Sequence, residues 1–283
     1  MRNFADKVAV VTGAGSGIGR ALALNLAGRG TALALSDIDG HALKDTVELC
    51  KDSGVRTLSY ELDVSDRAAV YAHADAVVSD FGRVNLVVNN AGVALGADVL
   101  DMTWDDFEWV MNVDFWGVAH GTKAFLPALI ESGEGHLVNI SSVFGLMGVP
   151  GQSAYNSAKF AVRGFTEALR QEMKIARHPV GVSCVHPGGI KTNIVANARG
   201  MDALGDHDEV ARRFEQIALT TPTRAAKVIL GGVERNKARI LIGPDARGFD
   251  LIPRVVGPRY QDLLAPLHRL GMEAGKRTGV IKH

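Results

Sequence analysis

Two residues four apart carry the clearest chemistry in this chain, Tyr155 and Lys159. On a helix that spacing places both side chains on one face. A tyrosine with a pKa of about 10 is a poor base at neutral pH. An ammonium ~5 Å away, at an effective dielectric of about 20, favours the phenolate by roughly 3 kcal/mol. The expected effect is a fall of about two pH units. Such a pair suits proton exchange with an alcohol or a carbonyl. The same spacing also arises on plain exposed helix faces, so it needs support from elsewhere in the chain.

That support begins with glycine, at 32 of 283 residues, about 11% against an average near 7%. The apolar run Val8–Val11 leads into Thr12-Gly13-Ala14-Gly15-Ser16-Gly17-Ile18-Gly19, and a helix is predicted from about Arg20. Glycines there permit a tight strand-to-helix turn and let backbone approach a pyrophosphate, which the helix N-terminus stabilises. Gly13, Gly15, Ser16, Gly17, Ile18 and Gly19 are the candidate contacts. The spacing from Gly13 is G-x-x-x-G-x-G, and its context of preceding strand and following helix is the required one. Asp37 lies 18 residues after Gly19, where the second predicted strand ends. A carboxylate there accepts from a ribose 2′-hydroxyl and repels a 2′-phosphate. Its neighbours Ser36, Ile38 and Asp39 include no arginine, which favours NAD over NADP; the plainer reading is a solvated turn residue. Asp63 and Val64 are placed to meet the adenine edge, unless Asp63 caps a helix starting near Ser65. A cationic nicotinamide near Tyr155 would add to the effect of Lys159.

These residues must be positioned by short apolar runs at Val8–Val11, Thr31–Leu35, Val55–Tyr60, Val84–Val88, His136–Ile140, Val180–Val185 and Arg239–Ile242. The runs lack apolar–polar alternation and so read as strands buried on both faces. Helix-length stretches separate them, with Ile18, Leu22 and Leu26, and Phe160, Gly164 and Ala168, recurring four apart. The alternation predicts an α/β, doubly wound Rossmann fold: a parallel sheet of about seven strands with helices on both faces.

Taken in order, Thr12…Gly19, Asn89-Asn90-Ala91-Gly92, Asn112, Ser142, Tyr155, Lys159 and Pro187-Gly188 stand at predicted strand ends. Together they resemble the classical short-chain dehydrogenase/reductase family over residues 5–243. The resemblance implies that Ser142 orients a substrate oxygen and Tyr155 is the acid/base. Lys159 would bind ribose and lower the tyrosine pKa, and Asn112 would hold a water in a proton relay. It also implies that Asn89, Asn90, Ala91 and Gly92 stabilise the central sheet and approach the cofactor ribose. Pro187, Gly188, Ile190 and Thr192 would hold the nicotinamide carboxamide; Thr192 is equally placed to cap a following helix. No metal is implied. Family members commonly pair helices with a neighbouring subunit, so a homo-tetramer or homo-dimer is expected.

Composition excludes several other classes. Lys plus Arg and Asp plus Glu are both 31, which argues against an electrostatic nucleic-acid binder. Two cysteines, Cys50 and Cys184, fit a reducing compartment rather than a disulfide framework. No 18-residue apolar run or signal-peptide core is present, so a soluble cytoplasmic protein is expected. At this length one domain is expected over residues 1–243, with a substrate loop at 193–222. Residues 244–283 would form a partly helical extension, with an apolar stripe of Tyr260, Leu263, Leu264, Leu267 and Leu270 packing on its own or a partner subunit. Candidate pocket residues Val143, Phe144, Leu146, Met147, Val149, Met201, Leu204 and Phe214 are apolar, pointing to a hydrophobic secondary alcohol or ketone; Arg199 is a candidate carboxylate binder. The leading expectation is an NAD-dependent oxidoreductase. The alternatives are a dehydratase or epimerase, or a non-catalytic NAD-binding regulator, on the same fold.

Overall fold

The computed structural model describes residues 1, 3–200, 212, 216 and 218–277. Seven parallel strands form one sheet in the order β3-β2-β1-β4-β5-β6-β7. They are β1 (Val8–Thr12), β2 (Ala32–Asp37), β3 (Thr57–Glu61), β4 (Leu86–Asn89), β5 (Gly135–Ile140), β6 (Val180–Pro187) and β7 (Arg239–Ile242). The helices are α1 (Gly17–Ala27), α2 (Gly40–Cys50), α3 (Arg67–Phe81), α4 (Trp104–Met111), α5 (Gly117–Glu131), α6 (Ser153–Ile175), α7 (Pro222–Glu234), α8 (Pro244–Val256) and α9 (Tyr260–Arg277). A π-helical turn, Asn112–Trp116, joins α4 to α5.

Successive strand residues point to opposite faces, so each apolar run feeds two cores. Ala9, Val11, Leu33, Leu35, Val88 and Val185 pack with Leu22, Leu26, Leu43, Ile229 and Leu230, which come from α1, α2 and α7. Val10, Ala34, Val87, Leu137 and Val182 pack with Val77, Phe125, Leu129, Leu169 and Met173, from α3, α5 and α6. Strand order reverses between β1 and β4, the place where open α/β sheets form a crevice beyond the carboxyl ends of their strands. Thr12, Asp37, Asn89, Ile140 and Pro187 are the last residues of their strands and meet along that edge.

Three expectations are corrected. Strand β3 is half-exposed rather than buried on both faces, because it is an edge strand. On α6 the buried stripe is Ala158, Val162, Leu169 and Met173, whereas Phe160, Gly164 and Ala168 face outward. Helical structure resumes at Pro244, well before Tyr260, because Pro244 occupies the first turn, where a missing N–H costs nothing. Leu263 and Leu270 of the tail stripe are exposed. Met201, Leu204 and Phe214, half of loop 193–222, the side chain of Leu267 and residues 278–283 lie outside the described residues.

Candidate active site

The glycine turn folds because two of its residues tolerate what a side chain would not. Gly13 has φ +64°, and a Cβ there would stand 2.8 Å from the Ala91 Cα. A Cβ on Gly19 would collide with the Gly13 carbonyl. Ser16 opens α1 without capping it through its side chain, and the first turn holds no acid. The free N–H groups at this helix end are therefore open to an anion. Thr12 locks the neighbouring strand: its hydroxyl accepts from the Asn90 and Ala91 amides at 2.9 and 3.0 Å.

Asp37 braces this turn. Its Oδ2 accepts from the Gly15 N–H at 2.7 Å and its Oδ1 from the Asp39 N–H at 3.0 Å. Asp39 caps α2. Arg20, which sequence spacing did not bring beside Asp37, also lines the cleft. Its guanidinium donates to the Gly15 carbonyl, to the Ala42 carbonyl at 3.1 Å and to Thr46 Oγ1 at 2.9 Å. Asp63 and Val64 line the same wall. Asp63 accepts from the Ser65 N–H and hydroxyl, while Asp66 caps α3, so the helix begins later than expected.

Asn89 is an expected cofactor contact that does not line the cleft. Its side chain is buried beneath it, donating to Asn139 Oδ1 at 2.8 Å and Thr122 Oγ1 at 3.2 Å. Alternation along β4 turns Asn89 inward toward α5 and leaves Asn90 at the rim. Asn90 lines the cleft and donates to the Thr12 and Gly13 carbonyls. Gly19 lies under the turn rather than on its surface. The cleft is lined instead by Gly13, Gly15, Ser16, Gly17, Ile18, Ala91, Gly92, Pro187, Gly188, Ile190 and Thr192. Thr192 begins no helix; turns follow it, and its Cγ2 stands 3.1 Å from a Cβ built on Gly17.

Asn112, Ser142, Tyr155 and Lys159 all line this cleft. The Ser142 hydroxyl accepts from the Phe144 N–H at 3.1 Å and hydrogen-bonds Tyr155. Neighbouring Ser141 instead donates to the Lys159 carbonyl at 2.8 Å. Lys159 Nζ is 5.4 Å from the centre of the Tyr155 ring. It also lies 3.4 Å from the Ile140 carbonyl oxygen and 3.3 Å from Oδ2 of Asp114. Burial lifts the Tyr155 phenol. Lys159 and the Ser142 hydrogen bond pull it down and Asp114 pushes it up, leaving it above its ordinary value. The expected two-unit fall is therefore not what this environment gives: desolvation and the Asp114 charge outweigh Lys159. Burial opposes the charge on Lys159, yet Asp114 and Tyr155 more than compensate and hold the ammonium above its usual range.

Asp114 was missed in the sequence. Its signal was an acid inside the apolar stretch Val113–Ala119. Asn156 was missed too: it donates to the Phe144 and Met147 carbonyls at 2.6 and 3.0 Å, tethering the loop before Tyr155. Val143, Phe144, Val149, Trp109 and Phe249 form an apolar wall, whereas Leu146 and Met147 are buried in the core. Arg199 is not in this wall. Its guanidinium stacks 3.9 Å over Trp109 and lies 3.5 Å from Asp106. The cleft encloses about 1960 Å³, more than one drug-sized molecule needs. Among the described residues no group of His, Cys, Asp and Glu side chains is arranged to hold a metal ion, and no helix is long and apolar enough to cross a membrane.

A doubly wound parallel sheet with a glycine turn at its switch point and a Ser–Tyr–Lys cluster facing it defines a Rossmann-type oxidoreductase class. The family model described as short chain dehydrogenase matches residues 7–203, and the chain belongs to that family. SadH of Mycobacterium tuberculosis, a protein named as an oxidoreductase, is 56% identical over 266 residues, covering 94% of this chain and 96% of SadH. A short chain dehydrogenase/reductase from Burkholderia phymatum, solved in complex with NAD, superposes with a TM-score of 0.83 at 33% identity, covering 93% of this chain and 96% of that one. An alcohol dehydrogenase from the archaeon Thermococcus sibiricus, complexed with 5-hydroxy-NADP, gives a TM-score of 0.70 at 28% identity, covering 84% and 94%.

Proposed function

We propose that the protein is an NAD-dependent oxidoreductase that interconverts a hydrophobic secondary alcohol and its ketone. The observation that carries this is the meeting of Ser142, Tyr155 and Lys159 in the cleft that the uncapped start of α1 also lines. The residues present suit the dinucleotide. The α1 N-terminus and Gly13 to Gly17 would hold the pyrophosphate, Asp37 a ribose 2′-hydroxyl, and Pro187 to Thr192 the carboxamide. When bound, NAD supplies the hydride acceptor. The protein's own part is proton handling. Ser142 and Tyr155 fix the substrate oxygen between two hydroxyls, Tyr155 exchanges its proton with that oxygen, and Lys159 stabilises the phenolate.

The apolar wall of Val143, Phe144, Val149, Trp109 and Phe249 favours an apolar substrate. Asp98, Asp101, Asp105, Asp106 and Glu108 border the same opening and disfavour an anionic one. The test is absorbance of reduced nicotinamide across a panel of secondary alcohols, with NAD as acceptor. Tyr155→Phe is expected to lower kcat about 10²–10⁴-fold while leaving NAD affinity within a few-fold. Near-full activity in that variant overturns the reading, and turnover without hydride transfer supports the dehydratase or epimerase instead.

A further inference from the structure

Asp114 lies two residues beyond Asn112, inside the π-helical turn, and has no exposed surface. A π-turn inserts an extra residue into the helix and re-aims the side chains that follow. Here the carboxylate is delivered inward, under the backbone of the cleft. Its Oδ1 accepts from the Val93 N–H at 2.8 Å. Its Oδ2 has no hydrogen-bond partner and faces Lys159 Nζ at 3.3 Å. A buried carboxylate persists only where a cation or several donors compensate its lost hydration, so the ammonium of Lys159 is its counterion. Gly92 makes room for the pair: a Cβ there would stand 3.0 Å from Asp114 Oδ1 and 3.4 Å from Lys159 Nζ.

Lys159 thus faces two groups with opposite demands. Asp114 lies at 3.3 Å, and the centre of the Tyr155 ring at 5.4 Å. The other titratable group acting on Lys159 is the Cys184 thiol of β6, which burial pushes up to about 12 and so keeps neutral. We propose that Asp114 is a positioning residue that holds Lys159 charged and draws its field away from Tyr155, keeping the phenol protonated until a second cation enters the cleft. The Lys159 charge is therefore partly cancelled at rest, and activation of the tyrosine is conditional. This rests on Tyr155 being the acid/base of the proposed reaction.

The experiment is an ultraviolet titration of tyrosinate in the ligand-free full-length protein. Subtracting the Tyr155→Phe curve isolates Tyr155 from Tyr60, Tyr71 and Tyr260. In Asp114→Asn, Tyr155 is expected to ionise at a pH at least about one unit lower, as removal of a charge a few ångströms away dictates. The acid limb of the kcat/KM profile is expected to move the same way. An unchanged titration overturns the proposal, since Asp114 would then be only a structural acceptor for Val93. A shift upward also overturns it, because Asp114 would then act by sustaining Lys159 alone. If Asp114→Asn does not fold, the smaller Asp114→Ser gives the same reading. Because the titration needs no substrate, it stands even where the Tyr155→Phe activity test goes against the proposed reaction.

Discussion

The hydroxyl of Tyr260 accepts a 3.2 Å hydrogen bond from the N–H of Gly148, tying the first residue of α9 to the loop between Ser142 and Tyr155. The same loop meets α8, where Phe249 packs 6.1 Å from Phe144, ring centre to ring centre. Asp245, at the start of α8, accepts from the Gly189 N–H at 2.7 Å. Asp245 and Phe249, both after β7, thus line the cleft.

Removing α9 by truncation after Gly257 is therefore expected to raise KM severalfold with a smaller change in kcat. The bound loop is lost while the Tyr155–Lys159 pair stays in place. Tyr260→Phe removes one hydrogen bond, worth about 0.5–1.5 kcal/mol, and should lower Tm by about 1–6 °C. Steady-state kinetics and a thermal scan check both.

Asp37 is expected to set cofactor choice. A 2′-phosphate would meet a carboxylate already braced on Gly15, so the wild type should bind NAD much more tightly than NADP. Asp37→Ala removes the repulsion and leaves Arg20 in the same wall, so the gap should narrow. Titration of both cofactors decides it, and a wild-type preference for NADP ends the argument.

Acid stability should depend on buried histidines. Burial holds His73 down to about 4 and His186 to about 4, against an ordinary value of 6.5. Below 6.5 the unfolded chain binds protons that the folded chain refuses until about pH 4. Stability is therefore complete above 6.5 and is lost as pH falls through that window. For His73 the gap corresponds to roughly 3 kcal/mol. Both its ring nitrogens lack partners, and it sits 4.6 Å from the Tyr60 ring and 5.6 Å from Phe125. His73→Leu should flatten the decline of Tm between pH 6.5 and 4.

The outward faces of α4 and α6 should pair between subunits. Trp104 is 78% exposed and Phe160 40% exposed, and nothing lies within 4 Å of a Cβ built on Gly164. A homo-tetramer or homo-dimer would cover them. Gly164→Arg should reduce the mass measured by light scattering; an unchanged mass would place the interface elsewhere.

The sheet was legible in the sequence because a strand buried on both faces is written as one continuous apolar run, as in Val8–Val11. The glycine turn was legible because its backbone geometry excludes other residues. The spacing of Tyr155 and Lys159 likewise places them on one helical face without any tertiary information. What tertiary structure decided were the quantities that depend on groups distant in the chain. Asp37 and Gly15 meet only because β1 pairs with β2. Which of Asn89 and Asn90 reaches the cleft depends on the face of β4 that α5 covers. The ionisation of Tyr155 was misjudged because Lys159 was read alone, whereas burial lifts the phenol most and the π-turn adds the charge of Asp114. An electrostatic balance sums every neighbouring charge and the water each has lost, and those neighbours exist only once the chain has folded.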